Sequence, residues 1–362
     1  MRLSSDPAAR RRLAVLLTAA LAAFAAGLAA GAPDQDTPEA PPDAPPPQVE
    51  AVARLSLRQQ VGQVIVSSFP DAAPPPYLRR RLRANETAGV ILFGFNASGR
   101  DSWRTLTKRI QRSARGRALV MVDQEGGEIR TVEWAGPVAG QPSQGDAGRS
   151  ARAAARQLSS IGINVNLAPV ADLPGGPVMG FRAFSGDVAA RTRAAVEGMR
   201  AAGVAATPKH FPGLGSATVN TDDGSATVTG WSERDLAPYR GTDAPLVMLS
   251  HAVYPDLDRQ RIASQSPRIV TGLLRERLGY EGVIVTDSIE AQAVLDRSGV
   301  ARAAERSIRA GADLVLCTGS ASWNLVHPWL LRRARSSPKF RERIRAAAAR
   351  VLALKQGLGL LR

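Results

Sequence analysis

Val204-Ala-Ala-Thr-Pro-Lys-His-Phe-Pro-Gly-Leu-Gly215 is a short apolar run that stops abruptly at a cation, an imidazole and a Gly/Pro turn. An apolar strand ending in polar, turn-rich residues is the signature of a barrel that delivers side chains to one rim. The pattern recurs. Strand-length apolar runs occupy Gly62–Phe69, Gly89–Phe95, Ala118–Val122, Ile163–Val170, Val204–Thr207, Ala244–Ser250, Gly282–Thr286 and Ala312–Cys317. Most are near-continuous in Val, Ile, Leu and Ala, as strands buried on both faces require. Between them the sequence predicts helices over Asp101–Ala114, Gly148–Ile161, Val188–Ala202, Ser266–Leu278, Ile289–Arg309 and Arg341–Gln356, from their apolar spacing and Ala content. Eight strand–helix alternations favour a single-domain α/β fold of the (β/α)8, TIM-barrel type over a doubly wound sheet.

Not all of the 362 residues belong to that barrel. Arg10, Arg11 and Arg12 precede an Ala/Leu-rich apolar run, Leu13–Leu28, and Ala30-Gly31-Ala32 offers a small-residue cleavage site. Residues 1–32 therefore read as a signal peptide. The alternative is an uncleaved membrane anchor, since the run nearly reaches the ~20 residues that span a bilayer. Residues 33–49 are rich in Pro and acidic residues and read as a disordered linker. The catalytic domain is expected over 50–362, in an exported, extracellular or envelope-associated protein. Cys317 is the single cysteine, so no intramolecular disulfide forms, and its apolar run makes it a packing residue. The core must hold the fold alone, and 44% hydrophobic residues make that feasible.

The net charge of +15 comes mainly from Arg. It fits a solvated basic surface, and it would also attract anionic cell-envelope polymers. Nucleic acid is not expected, for there is neither a zinc-finger spacing nor an aromatic-rich basic patch. A monomer without cofactor or metal is expected.

The strand ends carry Asp123-Gln-Glu-Gly-Gly127, Asn166-Leu-Ala-Pro-Val-Ala-Asp172, Lys209 and His210, Ser250 and His251, and Asp287 and Ser288. Taken singly, each Asp or Ser reads equally well as a helix N-cap. Ser288 is read that way, and Asp172 equally as a loop anchor. As a set, carboxylates, imidazoles and a lysine converging on one barrel mouth suit glycoside cleavage. That chemistry needs one carboxylate at the anomeric carbon and one acid at the leaving oxygen, with charged groups to grip the hydroxyls.

Asp123-Gln-Glu-Gly-Gly, Asn166-Leu-Ala-Pro-Val-Ala-Asp, Arg182-Ala-Phe, Lys209-His-Phe-Pro-Gly, Met248-Leu-Ser-His-Ala-Val-Tyr-Pro and Val285-Thr-Asp-Ser together resemble family 3 glycoside hydrolases, and within them the single-domain β-N-acetylhexosaminidase branch. The resemblance runs from about Leu55 to Leu361. It implies a barrel and a retaining mechanism in which Asp287 is the nucleophile. It also implies that Asp123, Arg182, Lys209 and His210 hold the terminal sugar, with His251 near that site. The implied substrate is a glycan with terminal β-linked N-acetylglucosamine, often from peptidoglycan.

One departure stands out. Members of that branch read Lys-His-Phe-Pro-Gly-His-Gly and carry Asp-Ser-His on a mobile loop, whose His serves as acid/base. Here Leu214 replaces the first of these His residues, and Ser216-Ala-Thr-Val-Asn-Thr-Asp-Asp-Gly224 holds none. His327, the remaining His, reads as a packing or surface residue. Asp222, where the family's loop Asp falls, is the expected general acid, with Asp223 as its neighbour and backup. The competing readings are a sugar-binding barrel that has lost turnover, a β-glucosidase, and a phosphorylase of the same family.

Overall fold

The computed structural model describes residues 47–361; the expected signal peptide and most of the expected linker lie outside them. The helix Pro47–Ala53 opens inside the stretch expected as linker. The strands are β1 Ile65–Ser67, β2 Gly89–Ile91, β3 Leu119–Val122, β4 Gln124–Gly126, β5 Ile129–Arg130, β6 Val165–Asn166, β7 Ala205–Ala206, β8 Leu246–Leu249, β9 Val253–Tyr254, β10 Asp258–Ile262, β11 Val283–Ser288 and β12 Leu314–Leu316. Eight form one parallel sheet in the order β7-β6-β3-β2-β1-β12-β11-β8, and β4–β5 and β9–β10 are small antiparallel hairpins. Each of the eight expected runs supplies one sheet strand.

The segment after β7 closes the sheet. Beyond β7 the chain continues through Thr207–Phe211, bridging Val170 at Lys209 and Leu249 at Phe211. Phe211 N–H donates to Met248 O at 2.8 Å and Ser250 N–H to Phe211 O at 2.8 Å. These bonds join the two sheet ends into a (β/α)8 barrel.

Strand geometry sorts the side chains. Successive residues point to opposite faces. Leu119 and Met121 of β3 pack into the barrel interior with Ile91, Val165, Met248, Val285 and Leu316. Val120 and Val122 face outward and pack against helices with Trp103, Leu106 and Leu158. Both faces of a strand are thus buried, which accounts for near-continuous rather than alternating apolar runs.

Helices cover Arg100–Ala114, Ala147–Ser160, Val188–Arg200, Arg268–Arg277 and Pro338–Gly357, near the expected positions. The stretch expected as one helix over Ile289–Arg309 is two, Gln292–Leu295 and Val300–Ala310. It breaks around Ser298-Gly299, and Gly299 is extended as the N-cap of the second piece. Helices Leu57–Gln63 and Pro76–Arg83 were not expected, and a third, Ser322–Ser336, follows the last sheet strand. The first two are short, and the third contains Pro328. His327 lies in this third helix, buried and stacked on Trp323. Cys317 is buried as expected. Among the described residues no helix is long and apolar enough to cross a membrane.

Candidate active site

The inward parity of the strands runs on to the barrel mouth. On β3 the interior series Leu119, Met121 runs on to Asp123 and Glu125; on β11 Val283, Val285 leads to Asp287. These carboxylates, with Lys209 and Arg182, line a cavity of about 550 Å³ at the C-terminal mouth. Gly126 and Gly127 make the turn directly after Glu125 at φ +111° and +61°. Those values suit glycine, and they fold β4–β5 back over the cavity. Gln124, of opposite parity, points away and fixes the hairpin's return by bonding Val132, Ala135 and Gly136.

Glu125 is the residue the sequence reading missed. It is 4% exposed overall. Arg182 grips it through two bonds, Nε–Oε2 at 2.9 Å and Nη2–Oε1 at 2.7 Å. Lys209 Nζ lies 2.7 Å from Glu125 Oε1 and 2.6 Å from Asp123 Oδ1. Burial pushes the Glu125 carboxyl up, but Lys209 and Arg182 outweigh it and hold the group down at about 2. Burial alone would lower Lys209; Asp123 and Glu125 reverse that and raise it. Both cations stay charged, and both aim at a sugar-sized space. Arg182 reaches the cavity by way of Glu125, and Asp123 keeps a side-chain exposure of 27%, open to a ligand.

His210 is held from behind. Asp172 is fully buried and accepts from His210 Nδ1 at 2.7 Å, His210 N–H at 3.1 Å and Leu214 N–H at 2.6 Å. Three donors on one carboxylate make Asp172 the anchor of the Lys209–Leu214 turn. His210 Nε2 then faces Asp287 Oδ2 at 3.7 Å.

Asp287 is reached from the other side as well. His251 does not line the cavity. It is buried behind Asp287, with Nε2 donating to Ser288 O at 2.9 Å and Nδ1 meeting Ser264 Oγ at 2.7 Å. Burial lowers His251, against the pull of Asp287, so the neutral ring carries its proton on Nε2 and Ser264 donates to Nδ1. Ser288 does not cap a regular helix, since the next one opens at Gln292 with Ala291 as N-cap. Its hydroxyl instead accepts from Glu290 N–H at 3.3 Å and meets Thr318 Oγ1 at 2.7 Å. Burial pushes Asp287 up, but His210, His251, Lys209 and the Ser288 N–H together hold it below the usual carboxylate range.

Asp222 lies on the Ser216–Gly224 loop and lines the same cavity. Its backbone carbonyl accepts from Gln292 N–H at 3.2 Å, and that of Thr221 from Ala293 N–H at 3.1 Å. The helix following Asp287 thus carries the loop. Asp222 keeps exposed surface at the rim. Even so, partial desolvation and then the charge of Asp287 push its carboxyl up to about 6, opposed by His210, Arg182 and Lys209. Asp223 is exposed and does not line the cavity. Two carboxylates with opposite shifts in one cavity form the arrangement from which acid and nucleophile roles are read. Among the described residues no group of three or more His, Cys, Asp or Glu is placed to hold a metal ion.

Comparison with known proteins gives the family. The glycosyl hydrolase family 3 N terminal domain matches residues 56–354. A beta-hexosaminidase from Xanthomonas oryzae pv. oryzae is 36% identical over 261 residues, covering 65% of this chain and 77% of its own length. Beta-hexosaminidase A from Pseudoalteromonas piscicida is 31% identical over 283 residues, 67% of this chain, and the match spans only 47% of that longer protein. The solved family 3 beta-N-acetylglucosaminidase from Paenibacillus sp. str. FPU-7 superposes with a TM-score of 0.79 at 32% identity, over 84% of this chain and 63% of its own. The Beta-N-acetylhexosaminidase from Beutenbergia cavernae superposes with a TM-score of 0.76 at 31% identity, over 84% of this chain and 99% of its own. A match that runs from the first barrel strand to the last helix, through every residue of the cavity, places this chain in glycosyl hydrolase family 3.

Proposed function

We propose that the chain is a retaining glycoside hydrolase that removes terminal β-linked N-acetylglucosamine from cell-wall or other glycans. The observation that carries this reading is the pairing of Asp287 and Asp222 in one cavity, the first held ionised and the second pushed up to about 6. A retaining mechanism needs that pair: one carboxylate to bond carbon C1, one acid to release the leaving oxygen. The hexosaminidases and N-acetylglucosaminidases among the relatives supply the sugar, and the one described as a secreted glycosyl hydrolase supports export.

In the first step an Asp287 oxygen attacks C1, and the C1–O bond to the leaving group breaks as its oxygen takes the Asp222 proton. In the second, water gives its proton to Asp222 and its oxygen to C1, and the Asp287 ester is released. Asp123 accepts from ring hydroxyls, while Lys209, Arg182 and His210 donate to them. His251 positions Asp287 through the Ser288 carbonyl.

The test is a slow 2-fluoro or aryl glycoside followed by peptide mass spectrometry. The expected result is a covalent sugar on the peptide holding Asp287; a sugar on another peptide would refute the assignment. The absence of a His from the acid loop favours a second reading, a sugar-binding barrel without turnover. Saturable N-acetylglucosamine binding with no hydrolysis of either 4-nitrophenyl or natural glycosides would establish it. A panel of aryl glycosides separates a β-glucosidase, and sugar 1-phosphate formed in added phosphate would mark a phosphorylase.

A further inference from the structure

A second cleft, of about 660 Å³, shares no lining residue with the catalytic cavity. One wall is the β9–β10 hairpin and the turn Ala263–Gln265. The other is the stretch from Arg297 into the helix Val300–Ala310. Four guanidiniums line it, those of Arg261, Arg297, Arg306 and Arg309, and no carboxylate does. Two of the four have counterions outside the lining. Glu305 Oε1 accepts from Arg309 Nε at 2.9 Å, and Asp258 Oδ2 lies 3.7 Å from Arg261. Arg297 and Arg306 have no ion pair among the described residues.

Gln265 supplies an independent observation. It is 6% exposed, it lines the cleft, and its Nε2 is buried without an acceptor among the described residues. A buried donor left unpaired is costly, and guanidiniums crowded around one cleft repel one another. A single kind of occupant relieves both: an oxyanion, which accepts from the amide and neutralises the arginines. Guanidinium forks match phosphate oxygens in pairs. The cations also continue outward. An adjoining cleft that shares Gln260 and Arg261 adds Arg259 and Arg268, with Asp256 and Asp258 beside them, so three arginines there outnumber two carboxylates.

We propose that this cleft is a binding site for phosphate groups, either free orthophosphate or the phosphodiesters of an anionic polymer. It lies behind the catalytic pair, not at it: Gln265 follows Ser264, whose hydroxyl holds His251. The ligand is therefore not the sugar being cleaved, and the site stands whether or not hydrolysis does.

The test is calorimetric titration of the full-length protein, at fixed ionic strength in chloride, with two probes: orthophosphate and a glycerol-phosphate oligomer. Saturable binding of either is expected, weakened roughly tenfold or more in Arg297→Gln/Arg306→Gln and in Gln265→Leu. Orthophosphate binding alone would identify the free anion as the ligand; tighter binding of the oligomer would identify the polymer. The arginines are surface residues, so the double variant should melt near the wild-type temperature, and it decides the matter if Gln265→Leu fails to fold. The proposal is overturned if neither probe saturates, or if the double variant binds both with wild-type affinity.

Discussion

The floor of the catalytic cavity and the loop at its rim are built in opposite ways. On the floor, Glu125, Lys209, His210 and Asp172 have side-chain exposures of 2%, 4%, 5% and 0%, and each is held by at least one strong charged bond. At the rim, Asp222 is exposed, and its loop is tied down by a few backbone bonds to the helix Gln292–Leu295 and by Ser225 Oγ to Asp296 at 3.0 Å. On the proposed reading, fixed groups bind the sugar and a loosely held one carries the proton. The difference has a physical basis. Gripping a hydroxyl rewards groups that need not reorganise, whereas a catalyst that must let product leave needs part of its wall drawn from the low-stability end of the fold.

The largest expected effect is Asp287→Asn. It removes the attacking oxygen and should cut turnover roughly 10⁴-fold or more with unchanged thermal unfolding. Turnover near the wild-type rate in that variant would end the nucleophile assignment. The floor is tested next by Glu125→Gln, which leaves Lys209 and Arg182 buried without their shared counterion. Losing one partner of such a set costs roughly 3–5 kcal/mol, so chemical denaturation should report a loss of that order along with weakened sugar binding. Acid should mimic it. The folded carboxyl, at about 2, lies below its ordinary 4.5. Its contribution is therefore present above pH ~4.5 and lost as pH falls toward 2. A variant as stable as wild type would mean that the floor is not held by this charge set.

The floor was also the part of the site that was partly hidden in the sequence. All eight barrel strands were legible, because burial on both faces leaves near-continuous apolar runs. Asp123, Lys209 and Asp287 were legible as strand ends. Glu125 was passed over within Asp123-Gln-Glu-Gly-Gly, although counting in twos from Leu119 and Met121 reaches it. The same count from Leu314 and Leu316 reaches Thr318, and from Ile91 it reaches Phe93, both in the cavity wall. It also separates His251 from the interior series Leu246, Met248, which is why that residue stands behind the site. Parity fails at His210, whose ring and backbone N–H are both claimed by Asp172. No local pattern encodes that bond, since its partners lie 38 residues apart. Nor does any pattern encode the perturbation of Asp222, which depends on how far the loop is desolvated and then on how near it comes to Asp287.

The rim is tested by Asp222→Ala. General acid catalysis contributes roughly 10²–10⁴-fold. A loss of that size is expected for natural glycosides and a much smaller one for aryl glycosides, whose leaving groups depart without a proton. Equal losses on both would remove Asp222 as the acid. The pH profile refines this. Asp222 must be protonated to donate, and its carboxyl stands near 6. Hydrolysis of poor leaving groups should therefore fall as pH rises through about 6, and the limb should vanish in Asp222→Ala.

The smallest effect is expected at an aromatic pair beside the cavity. Phe93 lines the cavity, and Phe95 stacks on it at 5.4 Å between ring centroids, inclined by 22°. Phe95 is 64% exposed, an apolar face offered at the mouth. Among the described residues its one ring–ring contact is with Phe93. A ring on the leaving-group side of a bound glycan would cover it. Phe95→Ala should then raise KM for a chain substrate roughly fivefold, on the order of 1 kcal/mol of stacking. Hydrolysis of a methyl glycoside, which has no second ring, should be unchanged. A parallel loss on both substrates would place Phe95 in support of the floor, and the division between fixed floor and open rim would then have to be drawn further out.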